Sequence, residues 1–256
     1  MVTFDAQAVG TPRRCWDADE RLASLPTLTL RGATSLVVVS AHPDDETLGC
    51  GGLIARASDA GIPIRIVAVT DGSASHPRSS TVAREDMAHL RSAELREAVR
   101  NLATAATISW LGFPDGQTLD FEADIEQRLR EELHDGGPGT LVAVTWAGDG
   151  HRDHRVVGTI VDRIAPPGAI LWRYPIWMWH WATPETPGLP WEMAASLTLT
   201  PSELARKRRA VGAFGSQISP LSSAEGDEPV LTADMLNHFD RDREMFFLGS
   251  DRMVAR

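Results

Sequence analysis

Five consecutive residues, His42-Pro43-Asp44-Asp45-Glu46, combine an imidazole with three carboxylates. Imidazole plus carboxylate is an ordinary ligand set for zinc, which in catalytic sites keeps one coordination position open for water. Adjacent carboxylates point different ways, so one can hold a metal while its neighbour stays free to accept a proton. Pro43 lacks a backbone donor and biases His42 toward extended backbone, which directs the imidazole. A plainer account makes one aspartate a helix cap and the other acids companions of the helix dipole. It explains Asp44 or Asp45 but not both, and it leaves the histidine unexplained.

A second group, His151-Arg152-Asp153-His154, lies more than a hundred residues further on. Histidines three apart share a face once a helix has begun. A lone histidine is most simply a packed residue with one satisfied nitrogen. Two histidines and an aspartate within four residues, placed like the first group, favour a site instead. Three protein ligands and an open position would bring the pKa of bound water to about 7 and polarise a carbonyl. Hydrolysis then needs a base for the water and a group to stabilise an oxyanion or help an amine depart.

The elements around these groups alternate. Residues 35–41 (SLVVVSA), 64–70, 107–111, 141–146 and 169–173 read as short buried strands. Residues 47–60, 82–102, 121–134 and 153–164 read as helices, the first stopped by Gly61 and the last by Pro166-Pro167. This rhythm predicts right-handed crossovers and an α/β fold, a Rossmann-like, mostly parallel sheet with helices on both faces. Both groups then fall at carboxyl ends of strands, where ligands bind in open sheets. Gly49-Cys50-Gly51-Gly52 does not match a phosphate-binding fingerprint, so its glycines are read as allowing close helix–sheet approach.

The last third is less regular. A tryptophan- and proline-rich tract at 174–191 precedes a short strand at 196–199, a helix at 201–214 and a Ser/Pro/Gly loop at 215–229. Buried packing is expected for most of the tryptophans, with a rim for a sugar or a subunit contact as the sharper alternatives. The 256 residues are expected to form one domain, a core of about 33–173 with a C-terminal extension of irregular and short β segments over 174–256. The formal charge of −10 argues against broad contact with nucleic acid or an anionic membrane. No apolar run approaches the roughly 20 residues that span a bilayer. Two cysteines and no visible signal peptide make a cytoplasmic location the expectation. A homo-oligomer is left open.

Ala41-His42-Pro43-Asp44-Asp45-Glu46 after a strand, followed by His-x-Asp-His, resembles the PIG-L/LmbE-like zinc-dependent de-N-acetylases. Weaker matches are Thr70-Asp71-Gly72, Arg91-x-x-Glu94, Leu111-Gly112-Phe113-Pro114-Asp115-Gly116, Lys207 and Ser216-Gln217. The resemblance implies hydrolysis of an acetamide, usually on N-acetylglucosamine or a small-molecule conjugate of it. By position it implies one Zn2+ per chain, or another divalent ion, held by His42, Asp45 and His154. Asp44 would be the general base, His151 would stabilise the oxyanion and assist amine departure, and Asp153 would orient a histidine. Arg91 and Asp115 match substrate contacts, and Asp149 and Arg152 are expected on the substrate side. Two departures are visible: Arg152 replaces a common proline, and Asp149 stands where some relatives carry a tyrosine. Alternatives are a zinc amidase for another amide, such as a thiol conjugate or acylated natural product, and a non-catalytic sugar or nucleotide binder.

Overall fold

The valine-rich segments predicted as strands do pair, and they pair in parallel because each is followed by a helical return. The computed structural model describes residues 8–249. In chain order its elements are α1 (Arg13–Asp17), α2 (Glu20–Ala23), β1 (Ser35–Ser40), α3 (Asp45–Asp59), β2 (Ile64–Thr70) and α4 (Arg84–Leu102). Next come β3 (Thr107–Phe113), α5 (Glu122–Leu133), β4 (Thr140–Thr145), α6 (Arg152–Ile164), β5 (Ile170–Tyr174) and α7 (Met178–Trp181). The chain finishes with β6 (Ala194–Thr198), α8 (Pro201–Val211), α9 (Gly215–Ile218), α10 (Ala233–Asn237) and β7 (Arg243–Leu248).

The sheet order is β3-β2-β1-β4-β5-β7-β6. The first five strands run parallel, and β7 joins β5 antiparallel with β6 outside it. The chain winds outward from β1 to β3 and then returns to place β4 on the other side of β1. That reversal opens a crevice between the carboxyl ends of β1 and β4, the general ligand position in such sheets. Both polar groups sit there.

Helices cover both faces, as the alternation predicts. Residues of α3 and α4, such as Leu53 and Leu95, share one apolar cluster with Phe246 of β7. Ile125 and Leu129 of α5 and Val157 and Ile160 of α6 form the other, against Val39 and Val144. α6 lies very close to the end of β4: a Cβ at Gly158 would stand 2.6 Å from the Thr145 carbonyl oxygen. At Gly49 a Cβ would stand 2.2 Å from the Tyr174 ring. The glycines of α3 therefore serve close packing, the role expected of them.

The C-terminal third differs most from expectation. β7 was not foreseen, although Met245-Phe246-Phe247-Leu248 is an apolar run of strand length. α1, α2, α9 and α10 span at most five residues, too few for a helical period to register. Trp172 and Trp179 are buried, Trp179 against Trp16 at 4.9 Å between ring centroids, so packing explains most of the aromatic tract. No helix among the described residues is long and apolar enough to cross a membrane.

Because Gly158 faces backbone rather than a side chain that can swing aside, Gly158→Ala must displace α6. We expect a loss of about 1–3 kcal/mol in stability, the usual cost of overpacking. Thermal unfolding checks this, and an unchanged melting temperature would show that the close approach is dispensable.

Candidate active site

The turn after β1 is built so that its acids do not all serve the backbone. The Ala41 carbonyl accepts from the Thr70 amide and hydroxyl, which ties the end of β1 to β2. Asp45 Oδ2 accepts from the His42 amide at 2.8 Å. Asp44 occupies the N-cap of α3 yet makes no side-chain cap bond. It has φ 141°, and among the described residues no other non-glycine has positive φ. Such backbone is strained and is typical of functional turns. The capping account thus fails for Asp44, whose carboxylate is left to line the cleft.

The turn after β4 works differently. Gly150, with φ 88°, turns the chain into α6, and His151 becomes its N-cap. His151 Nδ1 accepts from the Asp153 amide at 3.2 Å, which leaves Nε2 as the donor of a neutral ring. Burial, reinforced by the two neighbouring imidazoles, pushes His151 down to about 3.

Three donor atoms meet between the turns. His42 Nδ1 lies 3.2 Å from His154 Nε2. Asp45 Oδ2 lies 3.4 Å from the first and 3.3 Å from the second. Ligands about 2.1 Å from a tetrahedral ion stand roughly 3.4 Å apart, so the triangle has the size a zinc site needs. The other ring nitrogens are already committed. His154 Nδ1 is 2.7 Å from Asp149 Oδ2, and His42 Nε2 is 3.1 Å from Asp153 Oδ2. Each carboxylate fixes the tautomer that turns a lone pair toward the triangle, a usual arrangement behind metal-binding histidines. Two facing lone pairs repel unless a proton or a cation lies between them. The His42–His151–His154 group can also gather around an ion, but its donor atoms agree only to within 4.8 Å. The tighter set is His42, Asp45 and His154.

Charge in this site is strongly coupled. Burial would lower His154, but Asp45 and Asp149 outweigh it and raise the imidazole to about 9. Burial would likewise raise Asp45, yet His154 and His42 hold it well below the usual carboxylate range. Asp44 is raised to about 7, chiefly by burial, against the opposing charge of Arg91. Metal ligation needs both imidazoles neutral and Asp45 ionised, so metal uptake at this site would be coupled to proton release.

The structure brings together nearly every residue singled out by sequence. Arg91 is buried and lies 3.3 Å from Asp44 Oδ2, and it also donates to the Pro43 carbonyl. Asp115 reaches His42 Nε2 at 3.2 Å, and its other oxygen accepts from the Ala74 amide. Arg152 is exposed at the cleft rim. Asp149 corrects the expectation of a substrate contact. It is fully buried, and its oxygens accept from the amides of Ile176, Trp177 and Met178 as well as from His154. With every lone pair engaged away from the cleft, it is a support for His154.

Sequence reasoning missed Thr118, which holds Asp153 at 2.7 Å, and Val230 and Leu231 of the cleft wall; the other wall residues, Ile176 and Trp177, lie in the aromatic tract for which a rim was one alternative. Nothing in Thr118's sequence setting marks it. Val230 and Leu231 come from a late loop whose position only the tertiary structure shows. Among the weaker motif residues, Glu94 accepts from the Ser216 amide and hydroxyl, and Lys207 pairs with Glu244 at 2.7 Å, both in the interior. The cleft encloses about 430 Å³.

Residues 37–165, half of the chain, match the family model described as PIG-L, GlcNAc-PI de-N-acetylase. The chain belongs to the PIG-L family. The match ends at the close of α6, so it spans both polar turns. Among PIG-L-like relatives, a probable N-acetyl-alpha-D-glucosaminyl L-malate deacetylase 2 of Bacillus cereus is 29% identical over 133 residues. That alignment covers 50% of this chain and 59% of the relative. A solved deacetylase triple mutant of the teicoplanin biosynthetic pathway superposes with TM-score 0.62 at 19% identity, over 86% of this chain and all of the other. The 4-carboxy-2-hydroxymuconate hydratase of Pseudomonas putida KT2440 also superposes, with TM-score 0.55 at 16% identity, over 87% of this chain and 98% of that one. Those two likenesses concern fold alone.

If Asp149 supports His154, Asp149→Asn should weaken metal binding by roughly 10–100-fold, the usual cost of losing such a partner. Chelator competition measures this, and unchanged affinity would make Asp149 a purely structural residue.

Proposed function

We propose that this protein is a metal-dependent hydrolase that removes acetyl groups from an N-acetylated amino sugar or its conjugate. One observation carries the proposal. The spacing of His42 Nδ1, Asp45 Oδ2 and His154 Nε2 suits one ion, while Asp44 stands beside them in the cleft free of capping duty. Two imidazoles and one carboxylate favour zinc, with other divalent ions compatible. When bound, the ion polarises the amide carbonyl and makes water acidic enough to attack at neutral pH.

The chain's own groups supply the rest. Asp44 accepts the proton of the water whose oxygen bonds to the acetyl carbon. His151 donates from Nε2 to the carbonyl oxygen as negative charge develops there. Asp44 then returns the proton to the nitrogen as the C–N bond breaks, with His151 assisting amine departure, and a primary amine leaves with acetic acid, which ionises to acetate in water. Arg91 steadies Asp44, and Asp153 and Asp149 hold His42 and His154. Arg91, Asp115 and Arg152 are the cleft groups offered to sugar hydroxyls or substituents.

The amino-sugar class rests on the family and on the names of the relatives, with about half of the chain aligned. A cytoplasmic location and a small-molecule substrate belong to the same reading.

Purified protein should carry close to one divalent ion per chain, and His42→Ala or His154→Ala should abolish binding. Asp44→Asn should keep the ion and lose about 10²–10⁴-fold in kcat. Release of primary amine from N-acetylglucosamine conjugates, with and without chelator, reads the activity. Full turnover by Asp44→Asn would remove the base, and turnover insensitive to chelator would remove the metal.

A further inference from the structure

The strain at Asp44 must be held by something, and Glu46 is placed to hold it. Glu46 is fully buried and does not line the cleft. Its Oε2 accepts from the Asp44 amide at 3.1 Å, and its Oε1 accepts from the Thr47 hydroxyl at 2.7 Å. In an ordinary capped helix the N-cap side chain spends itself on an amide of the first turn. Here the direction is reversed: a side chain from inside the first turn reaches back to the N-cap amide, while the N-cap carboxylate makes no such bond. Arg91 completes the clamp, donating to the Pro43 carbonyl and standing 3.3 Å from Asp44 Oδ2. Backbone at φ 141° persists in an aspartate only where surrounding bonds outweigh its cost.

We infer that Glu46 is a positioning residue that keeps Asp44 in its strained, uncapped conformation, with the carboxylate turned into the cleft as a base. This rests on the reading of Asp44 given above. Glu46 lies behind the cleft lining, and its carboxylate bonds Asp44 and Thr47. If it is lost, the Asp44 amide loses its acceptor, and the turn can relax toward a standard cap in which the Asp44 carboxylate bonds back to α3. The ligand triangle need not change, since Asp45 is held separately through the His42 amide.

The experiment compares Glu46→Met, Glu46→Gln and Asp44→Asn with the wild type. Metal content, KM and kcat are measured on one N-acetylated amino sugar. Methionine keeps the volume and removes both acceptors. Its kcat should fall up to roughly 10²-fold, the scale of a 1 Å misplacement, with metal content and KM little changed. Glutamine can still accept from the Asp44 amide through its carbonyl and bond the Thr47 hydroxyl, so it should restore most of the lost kcat. If Glu46→Met does not fold, Thr47→Val replaces it; removing the hydroxyl that orients Glu46 should lower kcat several-fold at constant metal content. Wild-type kcat in the folded methionine or valine variant would overturn the inference, as would glutamine being no better than methionine. If Asp44→Asn itself stays active, the base assignment fails first. If that variant is inactive while the Glu46 and Thr47 variants are unimpaired, only the positioning role fails.

Discussion

Two imidazole lone pairs and a carboxylate oxygen are forced within 3.4 Å of one another at the switch point of a parallel sheet. Most of the local architecture follows from that constraint. Such a triangle is unfavourable in water and worse in a protein interior, unless positive charge sits among its members. The surroundings enforce it. Asp149 and Asp153 occupy the far nitrogens of His154 and His42, and both are fully buried and held by further donors of their own. The rings therefore cannot turn away without giving up these buried charge-assisted hydrogen bonds.

The same supports tie the site to distant parts of the chain. Asp149 gathers the amides of Ile176, Trp177 and Met178, so the start of the C-terminal third is pinned to the carboxylate that holds His154. Two of those residues form cleft wall. Leu231, joined to Gln217 through its amide, brings the late loop over the same cleft. The C-terminal segment thus contributes both an antiparallel margin of the sheet and one side of the cleft. The amide bonds from 176–178 to Asp149 place that side in fixed relation to His154 and the donor triangle.

Much of this was legible in the sequence. Valine-rich runs alternating with helical stretches specify the parallel sheet and its two covered faces, because periodicity encodes which sides are buried. The His42 and His151 groups announce a site through residue type and proximity. What spacing does not encode is direction. Asp149 lies two residues before His151 and looks like a cleft residue, yet the turn through Gly150 sends it inward. The ligand set also needed the resemblance, since either aspartate of the first group could have faced the ion. β7 escaped notice because a single apolar run without alternation identifies neither its partner strand nor its orientation.

The most direct test of the central claim is diffraction from metal-loaded crystals, with anomalous scattering recorded at the zinc edge. The account predicts one strong peak about 2.1 Å from His42 Nδ1, His154 Nε2 and Asp45 Oδ2, with Asp44 outside bonding distance. A peak ligated by Asp44 in place of Asp45, or a protein that takes up stoichiometric metal elsewhere and leaves these three atoms bare, would contradict it.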